Sequence, residues 1–193
     1  VPLKEFANNE WYASYFGLTL WNLGASCCTE IFELPVSTLL NTRVWNIGKW
    51  GVYGYGSNRV TFDGWTHLND PALLYQGSSA FHFGDYITRN TIIRRADIVN
   101  VNAAVIAPHK AGDTRDIYGA TPGTLVVEDS SLTAVTGLYL ETPWAVTGGG
   151  GALPPRRTLL RNVRIQIASG NPGYSTPALI FAWMARGNPG SLS

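Results

Sequence analysis

Residues 90–108 read NTIIRRADIVNVNAAVIAP, and residues 124–142 read TLVVEDSSLTAVTGLYLET. Few positions are identical, yet both follow one order. A short apolar run meets two polar residues and a small one, then an aliphatic anchor, then a small residue that opens a second apolar run. The pattern returns 34 positions on, from Ile93 to Val127. Its upstream half recurs in Phe62-Asp63-Gly64-Trp65, Ile93-Arg94-Arg95-Ala96, Val127-Glu128-Asp129-Ser130 and Leu160-Arg161-Asn162-Val163, and Ala7-Asn8-Asn9 can be laid on it. Its downstream half, small–apolar–any–apolar, recurs at Gly17-Leu18-Thr19-Leu20, Ala80-Phe81-His82-Phe83, Ala103-Ala104-Val105-Ile106, Gly137-Leu138-Tyr139-Leu140 and Ala178-Leu179-Ile180-Phe181. Gly51-Val52-Tyr53-Gly54 fits with its last position weakened.

The starts are 34, 29, 23, 34 and 41 residues apart, which rules out a helical solenoid of fixed repeat length. A strand, a polar corner, a second strand and a loop of variable length instead describe one coil of a parallel β-helix. Equivalent strands of successive coils then stack about 4.8 Å apart, and inward side chains join in one apolar column. Loops leaving the corners vary in length at small entropic cost. TGGGGALPP at 147–155 and KAGDTRDIYGATP at 110–122 read as such loops. Thr29 to Asn41 has room for one short helix, broken by Pro35. The expected architecture is all-β, a single module with about five or six irregular coils over roughly residues 6–183 and a tail at 184–193.

RNTIIRRADIVNVNAAVIAP, SNRVTFDGWT and GTLVVEDSSLTAVTGLYL resemble the degenerate repeats of right-handed parallel β-helix proteins. That superfamily includes pectate-lyase-like polysaccharide enzymes, phage tailspikes and bacterial surface proteins. The resemblance implies a secreted or cell-surface setting and a glycan partner. It does not imply catalysis, because no family catalytic motif accompanies it.

Composition narrows the classes further. Among 193 residues, 14 are Lys or Arg and 13 are Asp or Glu, so no basic field is present to hold nucleic acid. The apolar run ALIFAWMA is too short to span a bilayer. Trp (7), Tyr (9) and Gly (21) are plentiful and Met (1) scarce, a profile that suits turns and strands. The chain begins at Val1 without a leader pattern, which reads as a processed product or part of a longer chain. Adjacent Cys27 and Cys28 can close a strained small ring, which disulfide geometry opposes, and read more readily as two small buried residues or as one half of a pairing outside the chain.

Strand alternation assigns directions. With Leu138 and Leu140 inward, so are Leu18, Leu20, Phe81, Phe83, Ala104, Ile106, Leu179 and Phe181. One outward file is then Thr19, Tyr53, His82, Val105, Tyr139 and Ile180, and the next is Trp21, Tyr55, Gly84, Ala107, Glu141 and Ala182. Trp21, Tyr53, Tyr55 and His82 make one end of this face rich in rings, which suit the apolar faces of sugars, with Tyr139 and Glu141 as polar neighbours. The first expectation is therefore a scaffold displaying a glycan- or partner-binding face.

The rival is a polysaccharide lyase or glycoside hydrolase. A lyase needs a base and a neutralising cation, and a hydrolase needs paired carboxyl groups. His82, His109, Lys110, Arg115 and Glu141 are the catalytic candidates, with Asp85 nearby. Asp113 and Asp116 are the only carboxylates put forward for calcium, and their spacing matches no recognised calcium loop. No cofactor motif occurs. The same rings equally suit a structural fibre or adhesin element that buries them against a subunit. His67 reads as a corner or packing residue, and Asn8, Asn9, Asn58, Asn90 and Asn162 as turn formers.

Overall fold

The computed structural model describes residues 3, 5–21, 23, 36–73, 78–83, 89–106, 124–141, 157–168 and 179–182. Those residues are nearly all strand, with one 3-10 turn at Pro71–Leu73 and no α-helix. None of their segments is a helix long and apolar enough to cross a membrane. The strands are β1 (Glu10–Tyr12), β2 (Phe16–Trp21), β3 (Ser37–Leu40), β4 (Arg43–Trp45), β5 (Trp50–Tyr55), β6 (Asn58–Asp63) and β7 (Thr66–Leu68). They continue with β8 (Ser79–Phe83), β9 (Arg89–Arg94), β10 (Asp97–Ile106), β11 (Thr124–Glu141), β12 (Arg157–Ile167) and β13 (Leu179–Ala182).

Every pairing is parallel, and the strands fall into three files. The first runs β3, β6, β9, the start of β11 and the start of β12. The second runs β1, β4, β7, the start of β10, the middle of β11 and the end of β12. The third runs β2, β5, β8, then the ends of β10 and β11, and β13. Phe62, Ile93, Val127 and Leu160 are register partners, so the recurring corner lines up residue by residue.

The bend after the first file has a chemical cause. Asn8, Asn41, Gly64, Arg95, Asp129 and Asn162 hold φ between 48° and 73° there. Left-handed backbone is least costly for Gly, Asn and Asp, which fill five of the six places. The bend also keeps the ladder intact: the N–H groups of Asn8, Asn41, Gly64 and Arg95 donate to Leu40, Asp63, Arg94 and Glu128 at 2.8–3.1 Å. Side chains reinforce the stacking, with Asn41 Nδ2 donating to Asn8 Oδ1 (3.3 Å) and Asn162 Nδ2 to Asp129 Oδ1 (2.9 Å).

Beside that bend, charges alternate across the strands: Asp63, Arg94, Glu128, Arg161. Buried Asp63 accepts from Arg94 at 2.8 Å and from Arg95 at 2.6 and 2.7 Å, which offsets the cost of a left-handed arginine. Asp63→Ala leaves both guanidinium groups without that acceptor. Urea unfolding is expected to show a loss of about 1.5–3 kcal/mol, the range for hydrogen bonds to a charged group. Arg161→Ala, whose partner Glu128 is 3.5 Å away at the surface, should change stability by under about 1 kcal/mol.

The core consists of side chains stacked in register. Leu39, Phe62, Ile93 and Val127 form one column, and Val52, Phe81, Val105 and Leu138 another, all buried. Leu3, Phe6, Trp11, Leu18 and Leu23 pack partly against the core, and Phe6 stacks on Trp11 at 5.8 Å.

Three expectations change. Residues 37–40 are the strand β3 rather than part of a helix, because Ser37 and Leu39 face the core in strand alternation. The proposed helix's earlier residues lie outside the described ones, as do Cys27 and Cys28. Val105 is buried and Ile106 takes its place in the outward file, paired with His82 and Tyr139. Ala103, Ala104 and Val105 are all buried in succession, so no alternation marks the register there. Ala7 pairs with Leu40, the partner of Asp63, so Asn8 rather than Asn9 occupies the left-handed position.

Candidate functional site

The aromatic face is built on the third file. Small residues recur at one register position of this file, with Gly17, Gly51, Ala80, Ala104 and Gly137 as equivalents. At Gly51 the reason is direct: an added Cβ would press on His67 Nδ1 and lie 2.7 Å from the Ala80 carbonyl oxygen. The strand therefore runs tight against the interior, and the bulky residue before each glycine, Phe16 or Trp50, projects onto the face.

His67 belongs to the interior and not to the site. It occupies the column Val44, His67, Ile98, Leu132 and is fully buried. Asn69 Oδ1 accepts the Ile47 N–H at 2.9 Å while its Nδ2 donates to the Ile47 carbonyl at 3.2 Å, which fixes the amide's orientation. His67 Nε2 lies 3.1 Å from the same Oδ1 and is thus the protonated nitrogen. Burial lowers the imidazole pKa to about 4, against a smaller upward pull from the Asn69 bond.

On the face, the rings stack on one another both across strands and along β5. Trp21 lies on Tyr55 with centroids 4.1 Å apart, and Trp50 lies on Tyr53 at 4.4 Å. His82 sits 4.9 Å from Trp50 and 5.6 Å from Tyr53, and Phe16 is 5.1 Å from Trp50. Stacking covers a face of each paired ring and leaves Tyr53, Tyr55 and His82 half-buried. Open aromatic surface gathers instead at the first strands: Tyr12 is 73% exposed, Trp21 61%, Tyr15 60% and Phe16 41%. Lys49 completes the group, its Nζ 4.4 Å from the Trp50 centroid and 5.7 and 5.9 Å from those of Tyr15 and Phe16.

The structure thus brings together Trp21, Tyr53, Tyr55 and His82 from the sequence reading. The backbones of Tyr139 and Glu141 lie on β11, Tyr139 in the file of His82; their side chains are outside the described residues. Asp85, His109, Lys110, Asp113, Arg115 and Asp116 are outside them as well. Among the described residues, no three His, Cys, Asp or Glu side chains gather to hold a metal ion.

Sequence reading missed Tyr15, Phe16, Lys49 and Trp50. A signal was present: an aromatic residue immediately precedes the small residue in Phe16-Gly17 and again in Trp50-Gly51. A concavity of about 550 Å³ opens at the first bend, where Asn8, Glu10, Asn41, Arg43 and Arg95 surround Gly64. It has no aromatic lining and so offers a sugar no stacking surface. Comparison with known proteins returns no relative: no family model, no curated protein and no solved structure matches the chain.

Proposed function

We propose that the chain is a right-handed parallel β-helix module of a secreted or cell-surface protein, and that its aromatic face binds a saccharide. Strand pairing supports the first half of this reading: β1 to β7 each pair in parallel with the strand three places on, the later strands extend the same three files, and a left-handed bend recurs after the first file. The single observation behind the second half is the exposed set Tyr15, Phe16 and Trp21, backed by half-buried Trp50, Tyr53, Tyr55 and His82. Stacked inner rings hold the outer ones in place before a ligand arrives, which reduces the ordering cost of binding. Sugar C–H faces pack on such rings, and neighbouring hydroxyl and amine groups bond the hydroxyls.

A glycan array probed with the wild-type chain and with Tyr15→Ser/Trp21→Ala tests this. Both residues are exposed, so the variant should keep its circular dichroism and its unfolding midpoint. Losing two stacking contacts of about 0.5–1.5 kcal/mol each should weaken binding roughly 10- to 100-fold. If a folded wild-type chain retains no glycan, the reading fails and a protein interface takes its place. Release of reducing ends from a bound glycan would replace the display reading with that of a polysaccharide lyase or glycoside hydrolase.

A further inference from the structure

The position of Lys49 narrows the ligand. Its backbone N–H donates to the Tyr15 carbonyl at 2.9 Å, and its carbonyl accepts from Ser79 N–H at 2.7 Å, so its Cα is fixed within the ladder. The half-buried side chain then lies among Tyr15, Phe16 and Trp50, with the ammonium over the Trp50 ring. It forms no ion pair with a carboxylate among the described residues. The local sequence provides none: over 43–55 the other charge is Arg43, over 79–83 there is none, and over 10–21 it is Glu10, which lines the polar groove with Arg43. A cation held over aromatic faces is attracted by their quadrupoles and has exchanged part of its water for them. An incoming anion therefore meets an ammonium already oriented and partly desolvated, beside rings open to solvent.

We infer that this face selects a saccharide carrying an anionic group, a carboxylate or a sulfate, whose sugar ring packs on Tyr15 or Phe16 while the anion pairs with Lys49 Nζ, and whose neighbouring sugars extend along β2 toward Trp21. The inference rests on the proposal that the face binds sugar. It adds the charge of the ligand and the residue that reads it.

Calorimetric titration with three tetrasaccharides of one length tests it: a hexuronic acid oligomer, the same oligomer as its methyl ester, and a sulfated neutral oligomer. The wild-type chain should bind at least one anionic form about tenfold more tightly than the ester, and 0.5 M salt should remove most of that difference. Which anionic oligomer shows the preference identifies carboxylate or sulfate as the group recognised. Lys49→Gln should bring the anionic and neutral affinities together, and Lys49→Arg should keep them apart. If all three oligomers bind equally, and binding still falls in Tyr15→Ser/Trp21→Ala, the saccharide face stands and the charge selection is wrong. If the anionic preference survives in Lys49→Gln, another cation reads the charge and the assignment of Lys49 is wrong. If no oligomer binds to folded protein, both readings fall.

Discussion

Phe62→Ala is expected to cost the fold about 3–5 kcal/mol, the range for removing a fully buried aromatic ring from a core. Phe62 is 0% exposed and pairs in register with Leu39 and Ile93. Its ring also reaches beyond its own file. The centroid lies 5.0 Å from Phe81 and 6.4 Å from Phe83 on the third file, and 5.7 Å from Trp65 after the first bend. One side chain thus ties the first file to the strand that carries His82. Against a typical domain stability of about 5–15 kcal/mol, this loss leaves a marginal protein. Urea unfolding should show a lowered midpoint at nearly unchanged slope, and Phe62→Leu should recover most of the difference. Were Phe62→Ala to cost under about 1 kcal/mol, the interior ring cluster would not be packed as described. Tyr15→Ser, on the exposed face, should shift stability by under about 0.5 kcal/mol. Binding and folding variants can therefore be told apart.

Much of this arrangement is legible in the sequence, for a physical reason. Parallel stacking puts equivalent residues of successive repeats in contact, so a column's chemistry is written at intervals along the chain. Phe62, Ile93, Val127 and Leu160 declare such a column, and Asp63, Arg94, Glu128 and Arg161 alternate in sign one place later. Left-handed bends leave their own record in Asn41, Gly64, Asp129 and Asn162.

Other parts leave no such record. Around Ala104 three buried residues follow one another, so alternation cannot set the register, and the pairing with β11 shifts between Val99 and Val101. Leu39 and Asn41 belong to a repeat whose corner is Leu40-Asn41, with Leu40 in the place of Asp63, and Pro35 just upstream made the stretch resemble a broken helix. On the aromatic face, strand alternation reports that Trp21, Tyr53 and Tyr55 share a side. It does not report that Trp21 lies flat on Tyr55 and Trp50 on Tyr53, because ring planes depend on the side chains each ring meets, in the next strand for Trp21 and along β5 itself for Trp50. That difference shifts the open surface to Tyr12, Tyr15, Phe16 and Trp21.

His67 gives the second large effect, a loss of stability in mild acid. Its column neighbours are Val44, Ile98 and Leu132, so nothing there solvates an imidazolium. Nε2 is already committed to Asn69, and Nδ1, which would take the added proton, is buried with no hydrogen-bond partner. The folded-state pKa is accordingly lowered from 6.5 to about 4. The sign follows from proton counting. Between pH 6.5 and 4 the unfolded chain binds this proton and the folded chain does not, so stability falls as pH falls. Above pH 6.5 both states are neutral and the effect vanishes; below about pH 4 both are protonated and the loss levels off. Across that window the loss should approach about 3 kcal/mol, at roughly 1.4 kcal/mol per pH unit for one proton. Urea midpoints at pH 7, 6, 5 and 4 for wild type and His67→Leu measure it. Leucine suits the aliphatic column and leaves Asn69 its two bonds to Ile47. The wild-type curve should fall away from the variant's below pH 6.5, and Asn69→Ala should lower stability at every pH by freeing the Ile47 amide and carbonyl. Parallel curves for wild type and His67→Leu would mean that His67 does not fold as a buried neutral base, and the assignment of its column to the interior would have to be withdrawn.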